Sequence, residues 1–207
     1  MLRHHLGRFG ASTLLVVLTA VMCGCPLGGE LVLFPDVNLE NAVREELGKP
    51  FGLLTSFDLV ELERLDARGL VEEEKIRDLT GLEYCVFLRW LDLDTNLVSD
   101  LTPLEGLSNL EYINLDSNYV TDLQPLSGLL YLRGLSLFDN QVADIGPLVT
   151  NAESRLLAPE YPPLDYIIVD ADTLGIDYDD GVVTQPELDI DRLVELGVDV
   201  ILAEGTK

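Results

Sequence analysis

Apolar residues fall in a fixed register from Leu88 onward, and the register repeats every 22 residues. Leu88, Leu110 and Leu132 form one column, and Leu91, Ile113, Leu135 and Leu93, Leu115, Leu137 form two more. The same spacing aligns Asn96, Asn118, Asn140, then Val98, Val120, Val142, Leu101, Leu123, Ile145 and Pro103, Pro125, Pro147. Within one unit the order L-x-x-L-x-L-x-x-N-x-V predicts a short strand and then a turn, with alternate residues facing inward. One such coil cannot bury its apolar edge alone, so neighbouring coils must stack into a continuous core. The Asn column has a physical purpose, because the chain turning inward after each strand buries peptide groups that need partners. A side-chain amide supplies both a donor and an acceptor. Asp100, Asp122 and Asp144 precede each Leu/Ile-x-Pro-Leu stretch, where a carboxylate can accept from the free N–H groups opening a helical turn. Their expected role is capping, not binding.

Irregular copies extend the pattern on both sides. Leu62-x-x-Leu65-x-Ala67 begins a first coil with about four extra residues around Val71 to Glu74, and without the Asn. Leu164-x-x-Ile167-x-Val169-x-x-Asp172 begins a fifth, after about ten additional residues near Asn151 to Glu160. Pro35 to Gly48 carries an Asp cap, apolar residues at 39, 42, 43 and 47 and a glycine stop, the marks of an amphipathic helix, and a second short helix is expected after Thr55. Thr184 stands three residues before Glu187 and opens a last helix that stops at Gly197, with a strand over Val198 to Leu202. The expected organisation is a signal segment over 1–24, a spacer over 25–33, a helical cap over 34–61, about five coils over 62–183 and a terminal cap over 184–207.

Three phrases together resemble the internalin-type leucine-rich repeat family of bacteria. They are Phe34-Pro35-Asp36 with its helix, Asp78-Leu79-Thr80-Gly81-Leu82-Glu83-Tyr84, and the recurrent Asn-x-Val-x-Asp-Leu-x-Pro-Leu. The likeness runs over roughly residues 34 to 202. It implies an α/β solenoid: a right-handed superhelix with a parallel sheet on the concave side, 3₁₀ turns on the convex side and helical caps. It also implies a module that binds other proteins at or near a bacterial surface. The chain departs from the family in being short and in its two irregular coils.

The start of the chain sets its expected location. Arg3 and Arg8 precede an uncharged stretch, Ala11 to Met22, that suits the apolar region of a secretory signal and is short for a bilayer span. Met22-Cys23-Gly24-Cys25 resembles the lipobox of bacterial lipoproteins, with Cys25 as the lipidated residue because it follows Gly24. The alternatives are ordinary cleavage near this site or an uncleaved anchor. Acyl chains on Cys25 would hold the protein at a membrane of the cell envelope, each buried CH₂ contributing roughly 0.8 kcal/mol.

Charge and the scarcity of reactive side chains narrow the chemistry. The chain has 13 basic and 37 acidic residues, a net charge of −24; removing 1–24, whose only charges are Arg3 and Arg8, leaves 11 and 37, or −26. Nucleic acid is an unsuitable partner, because phosphate binding needs clustered Lys and Arg. Both histidines, His4 and His5, lie in the signal segment, so a processed chain has no Ser-His or Cys-His catalysis and no His-ligated metal. No cofactor is expected, and neither is enzymatic activity. With Cys23 removed and Cys25 lipidated, Cys85 is the single thiol left, sits in a core Leu column and reads as structural. The acidic run Asp170 to Gly181 fits neither register of a calcium loop, and reads as a turn in which Asp172 partly replaces the ladder Asn.

Function then falls to the solvent side of the strands. With the first Leu of each coil as position 1, positions 3, 5 and 7 point to the concave side. Position 3 carries Arg64, Trp90, Tyr112, Gly134 and Tyr166; position 5 carries Asp66, Asp92, Asn114, Ser136 and Ile168; position 7 carries Arg68, Asp94, Asp116, Phe138 and Asp170. Strands roughly 4.8 Å apart would join Trp90 and Tyr112 into one aromatic strip beside the acids. The candidate protein-binding residues are Trp90, Tyr112, Asp92, Asp94, Asn114, Asp116, Phe138 and Tyr166, aromatics supplying buried area and acids selecting Lys or Arg on a protein or peptide partner. The alternative for this face is an internal network, with Arg64 stacked on Trp90 and Arg68 offsetting Asp94. For the whole molecule the expectation is a monomeric, lipid-anchored recognition module; the alternative is a structural, acidic envelope protein without a discrete ligand.

Overall fold

A computed structural model describes residues 29–69, 71–158, 160–174 and 184–203. The signal segment and Cys25 lie outside these residues, as does most of the acidic run after Leu174.

The columns read from the sequence become rows of one sheet. Six parallel strands, β1 (Arg64–Asp66), β2 (Trp90–Asp92), β3 (Tyr112–Asn114), β4 (Gly134–Ser136), β5 (Tyr166–Asp170) and β6 (Asp199–Ala203), lie side by side in chain order. Their register puts Leu65, Leu91, Ile113, Leu135 and Ile167 in a single file, continued by Val200. The first five are all but inaccessible to solvent, between 0% and 3% exposed. Leu88, Leu110, Leu132 and Leu93, Leu115, Leu137 pack beside them in the same core. The fold is the leucine-rich repeat solenoid.

The Asn ladder holds the turn side together. Asn96 Oδ1 accepts from Ile76 N–H at 2.8 Å, and its Nδ2 donates to the carbonyls of Ala67 at 2.8 Å and Leu93 at 2.9 Å. Asn118 and Asn140 repeat the arrangement one coil further each time, accepting from Val98 and Val120 and donating to Leu93 and Leu115 in the coil before. Each amide thereby ties two coils through buried peptide groups. The residue just before each Asn, Thr95, Ser117 or Asp139, has a left-handed backbone with φ between 53° and 61°. Such a conformation is uncommon for residues with a side chain and is strained for a β-branched one. It is what turns the chain inward quickly enough for the amide to reach the coil below.

On the convex side the Asp residues act as caps. Asp100 Oδ1 accepts from Thr102 N–H, Asp122 from Gln124 N–H and Asp144 from Gly146 N–H, each at 2.8 Å. The turns behind the first two are 3₁₀, Thr102–Leu104 and Gln124–Leu126. Behind the third the extra residues lengthen the turn into an α-helix, numbered α3 here (Gly146–Leu156), and a further helix, α5 (Gln185–Glu195), packs beside it. The C-terminal helix and strand therefore do more than close the end, since β6 adds a sixth rung to the sheet beside β5. A short helix, α4 (Ala171–Leu174), follows β5. Asn151 and Arg155 of α3 are buried and tie it to the coil before: Asn151 Nδ2 donates to the carbonyls of Leu126, Ser127 and Leu129, and Arg155 to those of Leu129 and Pro162. Burial pulls the Arg155 guanidinium down to about 10, with the charge of Asp165 opposing the shift.

The N-terminal cap consists of α1 (Val37–Glu46) and α2 (Ser56–Leu59). Asp36 Oδ1 accepts from Asn38 N–H at 2.9 Å, while its Oδ2 accepts from Arg77 N–H at 2.8 Å, so one carboxylate caps the helix and fastens it to the first coil. Phe34 is buried against Gly81, whose φ is 107°; a Cβ there would stand 2.6 Å from the Phe34 ring. Only glycine satisfies both the backbone and the contact.

Candidate functional site: the concave face

Position 3 of each strand faces the concave side in register, Arg64 opposite Trp90, Trp90 opposite Tyr112, Tyr112 opposite Gly134 and Gly134 opposite Tyr166. Gly134 interrupts the aromatic column in sequence but not in space. The Tyr166 ring lies across it, and a Cβ at Gly134 would come within 2.5 Å of Tyr166 Cζ. Trp90, Tyr112 and Tyr166 thus form one aromatic row spanning four strands, each ring half-buried.

These rings and the next positions along the strands enclose a shallow hollow of ≈ 340 Å³. Of the eight residues singled out from the sequence, the hollow gathers six: Trp90, Asp92, Tyr112, Asn114, Asp116 and Tyr166. Ile113, Ser136 and Ile168 complete the wall. Asp94 and Phe138, at the strand exits, are not part of it. Gly134, Ser136 and Ile168 carry no chemical signal in one dimension, and their part depends on which ring leans over which neighbour.

The acids differ in setting. Asp116 is half-buried, and its Oδ1 accepts from Ser136 Oγ–H at 2.5 Å and from Phe138 N–H at 2.8 Å. Burial pushes its carboxyl above the ordinary range, the two hydrogen bonds oppose the shift, and the charges of Asp94 and Asp139 reinforce it. Asp92 is 8% exposed and accepts from Asp94 N–H at 3.1 Å. Its carboxyl is also raised by burial, with Arg68 opposing and Asp66 and Asp94 adding. A neighbouring cation would compensate both buried carboxylates.

Arginines line the same face. The Arg64 guanidinium lies 3.2 Å from the centroid of the Trp90 ring, and that of Arg133 lies 5.9 Å from the Tyr112 centroid. Arg133 is also paired with Asp165 at 2.8 Å. Arg68 pairs with Asp66 at 2.8 Å and stands 3.8 Å from Asp92, so its charge offsets those two acids first and the Asp94 considered from the sequence more weakly. The Arg68 guanidinium holds the Asp66 carboxyl below the usual range.

Cys85 lies in the core with no exposure, and burial pushes its thiol up to about 12. It is a packing residue. Among the described residues no cluster of His, Cys, Asp and Glu is arranged to hold a metal ion.

This geometry defines a leucine-rich repeat domain with an aromatic and acidic concave face. The family model for leucine-rich repeats (2 copies) matches residues 86–128. An internalin (inlF) of Listeria monocytogenes is similar in structure, with a TM-score of 0.56 and 28% identity over 66% of this chain and 44% of that one. An internalin C2 of the same species matches at 24% identity and a TM-score of 0.36, covering 68% of this chain and 80% of that one. The CBM51-2 and INT domains of Clostridium perfringens ZmpB match at 28% identity and 0.39, covering 52% and 20%. The chain spans less than half of the Listeria internalin inlF. No curated protein matches the chain.

Proposed function

We propose that the protein is a non-catalytic recognition module, held at the membrane by a lipid on Cys25, whose concave face binds a protein or peptide carrying basic side chains. The observation that carries this reading is the hollow in which Trp90, Tyr112 and Tyr166 meet Asp92 and Asp116. Aromatic rings offer area that gains from being covered, and two half-desolvated carboxylates favour a Lys or Arg entering between them. Similarity to the inlF internalin supports the leucine-rich repeat frame on which that face is built. The Trp90→Ala, Tyr112→Ala double variant tests it: pull-down from an envelope extract is expected to lose a partner that the wild type captures. Unchanged recovery overturns concave-face recognition.

One observation favours a second reading, a structural envelope protein whose concave face is occupied by its own side chains. Arg64 already covers a face of Trp90, and Arg68 already serves Asp66 and Asp92. Under that reading the double variant recovers the same proteins and loses stability instead. Anchoring is tested separately by labelling with a fatty-acid analogue in cells; Cys25→Ala is expected to abolish incorporation, and retained label rejects Cys25 as the lipid site.

A further inference from the structure

The N-terminal cap turns a row of apolar side chains outward. Leu31 bridges Thr55 in antiparallel fashion, Val32 N–H donates to Leu54 O at 3.0 Å and Ser56 N–H donates to Glu30 O at 2.8 Å. This pairing fixes the pleat. Val32, Phe34 and Leu54 point into the core, and Leu31, Leu33 and Leu53 fall on the opposite side. Leu33 on the ribbon is 70% exposed, Phe51, beyond the bend at Gly52, is 84% exposed, and Phe57 on α2, which begins where the ribbon ends, is 60% exposed. Isolated exposed apolar residues need no explanation, but three large ones contributed by the ribbon, bend and helix of one small cap do.

The occupant is indicated by where the preceding chain joins. Gly29 abuts this row, since a Cβ there would stand 2.7 Å from the Phe57 ring. Cys25 is four residues earlier, and four residues reach at most about 14 Å. Acyl chains on Cys25 would therefore insert within about 14 Å of the Phe57 end of the row. Beside the ribbon Lys49 pairs with Asp58 at 2.6 Å and Arg44 with Glu40 at 2.8 Å, while Glu30, Glu45 and Glu46 are exposed acids, so the surface this cap suits is zwitterionic and not anionic. No helix among the described residues is long and apolar enough to cross a membrane, so contact would be at the interface.

We infer that the cap lies against the bilayer, with Leu33, Phe51 and Phe57 entering the headgroup and acyl boundary as a second attachment beside the lipid. The inference rests on the reading that Cys25 is lipidated. A tether this short keeps the face at high local concentration near the membrane, so a weak apolar contact is enough to orient the domain.

Trp90 is the single tryptophan of the chain, which makes fluorescence a direct test. The full chain, processed in cells and purified from membranes, is reconstituted into phosphatidylcholine vesicles with and without brominated acyl chains. One protein keeps Trp90; the other carries Phe51→Trp in a Trp90→Phe background. The expected result is flotation of both with the vesicles, bromolipid quenching and a blue shift for the residue-51 reporter, and undiminished emission from Trp90. Flotation without quenching at residue 51 overturns the membrane-facing cap while anchoring stands. Absence of flotation overturns the anchor and this inference with it. A residue-51 reporter already blue-shifted without vesicles, in a protein that sediments as a dimer, assigns the row to a second copy and also overturns it.

Discussion

Each ladder asparagine is a point where stability is concentrated. Asn118 has 5% exposure and satisfies three buried peptide groups in two coils, those of Leu93, Val98 and Leu115, and the part-buried carbonyl of Asp116. Removing the amide strands several of them, each at about 1–3 kcal/mol. Asn118→Ala is expected to lose about 3 kcal/mol, measured as a lower urea midpoint with an unchanged slope. A loss below about 0.5 kcal/mol would mean that water replaces the amide. This column was fully legible, because identical residues recur at a fixed interval and the chemistry of an amide admits few other uses. The strained position beside it was not. Thr95, Ser117 and Asp139 share a backbone conformation but no side-chain character, and none is the glycine that would mark it.

At the scale of elements, the strands and their facing were legible because a period of two within a period of 22 leaves no freedom in which side points inward. The convex side was less so. Pro103, Pro125 and Pro147 stand at equivalent places, yet only the last opens an α-helix, and the difference lies downstream in the spacing of Leu148, Ala152 and Arg155 on one face of α3. Of the hollow, eight residues were readable as outward strand positions and six of them as candidates, whereas the lean of Tyr166 over Gly134 depends on a missing side chain. Gly134→Ala tests that dependence. A methyl there must push the Tyr166 ring aside, and a ring at the surface can swing, so the thermal midpoint is expected to fall by only a few degrees. Partner capture by the concave face should weaken by roughly tenfold, as for loss of one aromatic contact. Full capture with Gly134→Ala would show that Tyr166 has no part in recognition.

For the molecule as a whole, acidity and burial make stability depend on pH in two opposing ways. Asp92 and Asp116 have carboxyls raised above 3.8 in the fold. Between 3.8 and those raised values the folded chain holds more protons than the unfolded one, so stability falls as pH rises through that window. Asp66 and Asp100, lowered by hydrogen bonds from Arg68 and Thr102, behave oppositely, contributing stability above 3.8 that is lost as pH falls toward their depressed values. Self-repulsion at a net charge of −24 adds to the first trend. A thermal-melting series from about pH 7 to about pH 3 is expected to show the midpoint rising into the mildly acidic range and then dropping. Asp116→Asn, whose amide oxygen can still accept from Ser136 and Phe138, should be more stable than wild type at neutral pH and should flatten the rising limb. A wild-type midpoint that declines steadily from neutrality would refute the burial cost assigned to these two acids.

The contact of Asp36 with the backbone of Arg77, and of Phe34 with Gly81, sets an order of events during synthesis. More than forty residues separate these partners, so the first helix can rest on β1 once Asp66 is made but completes its seat only when the chain has been extended past Gly81. A ribosome that still conceals that glycine leaves the cap only partly fastened, and release of one small residue permits the front of the stack to close.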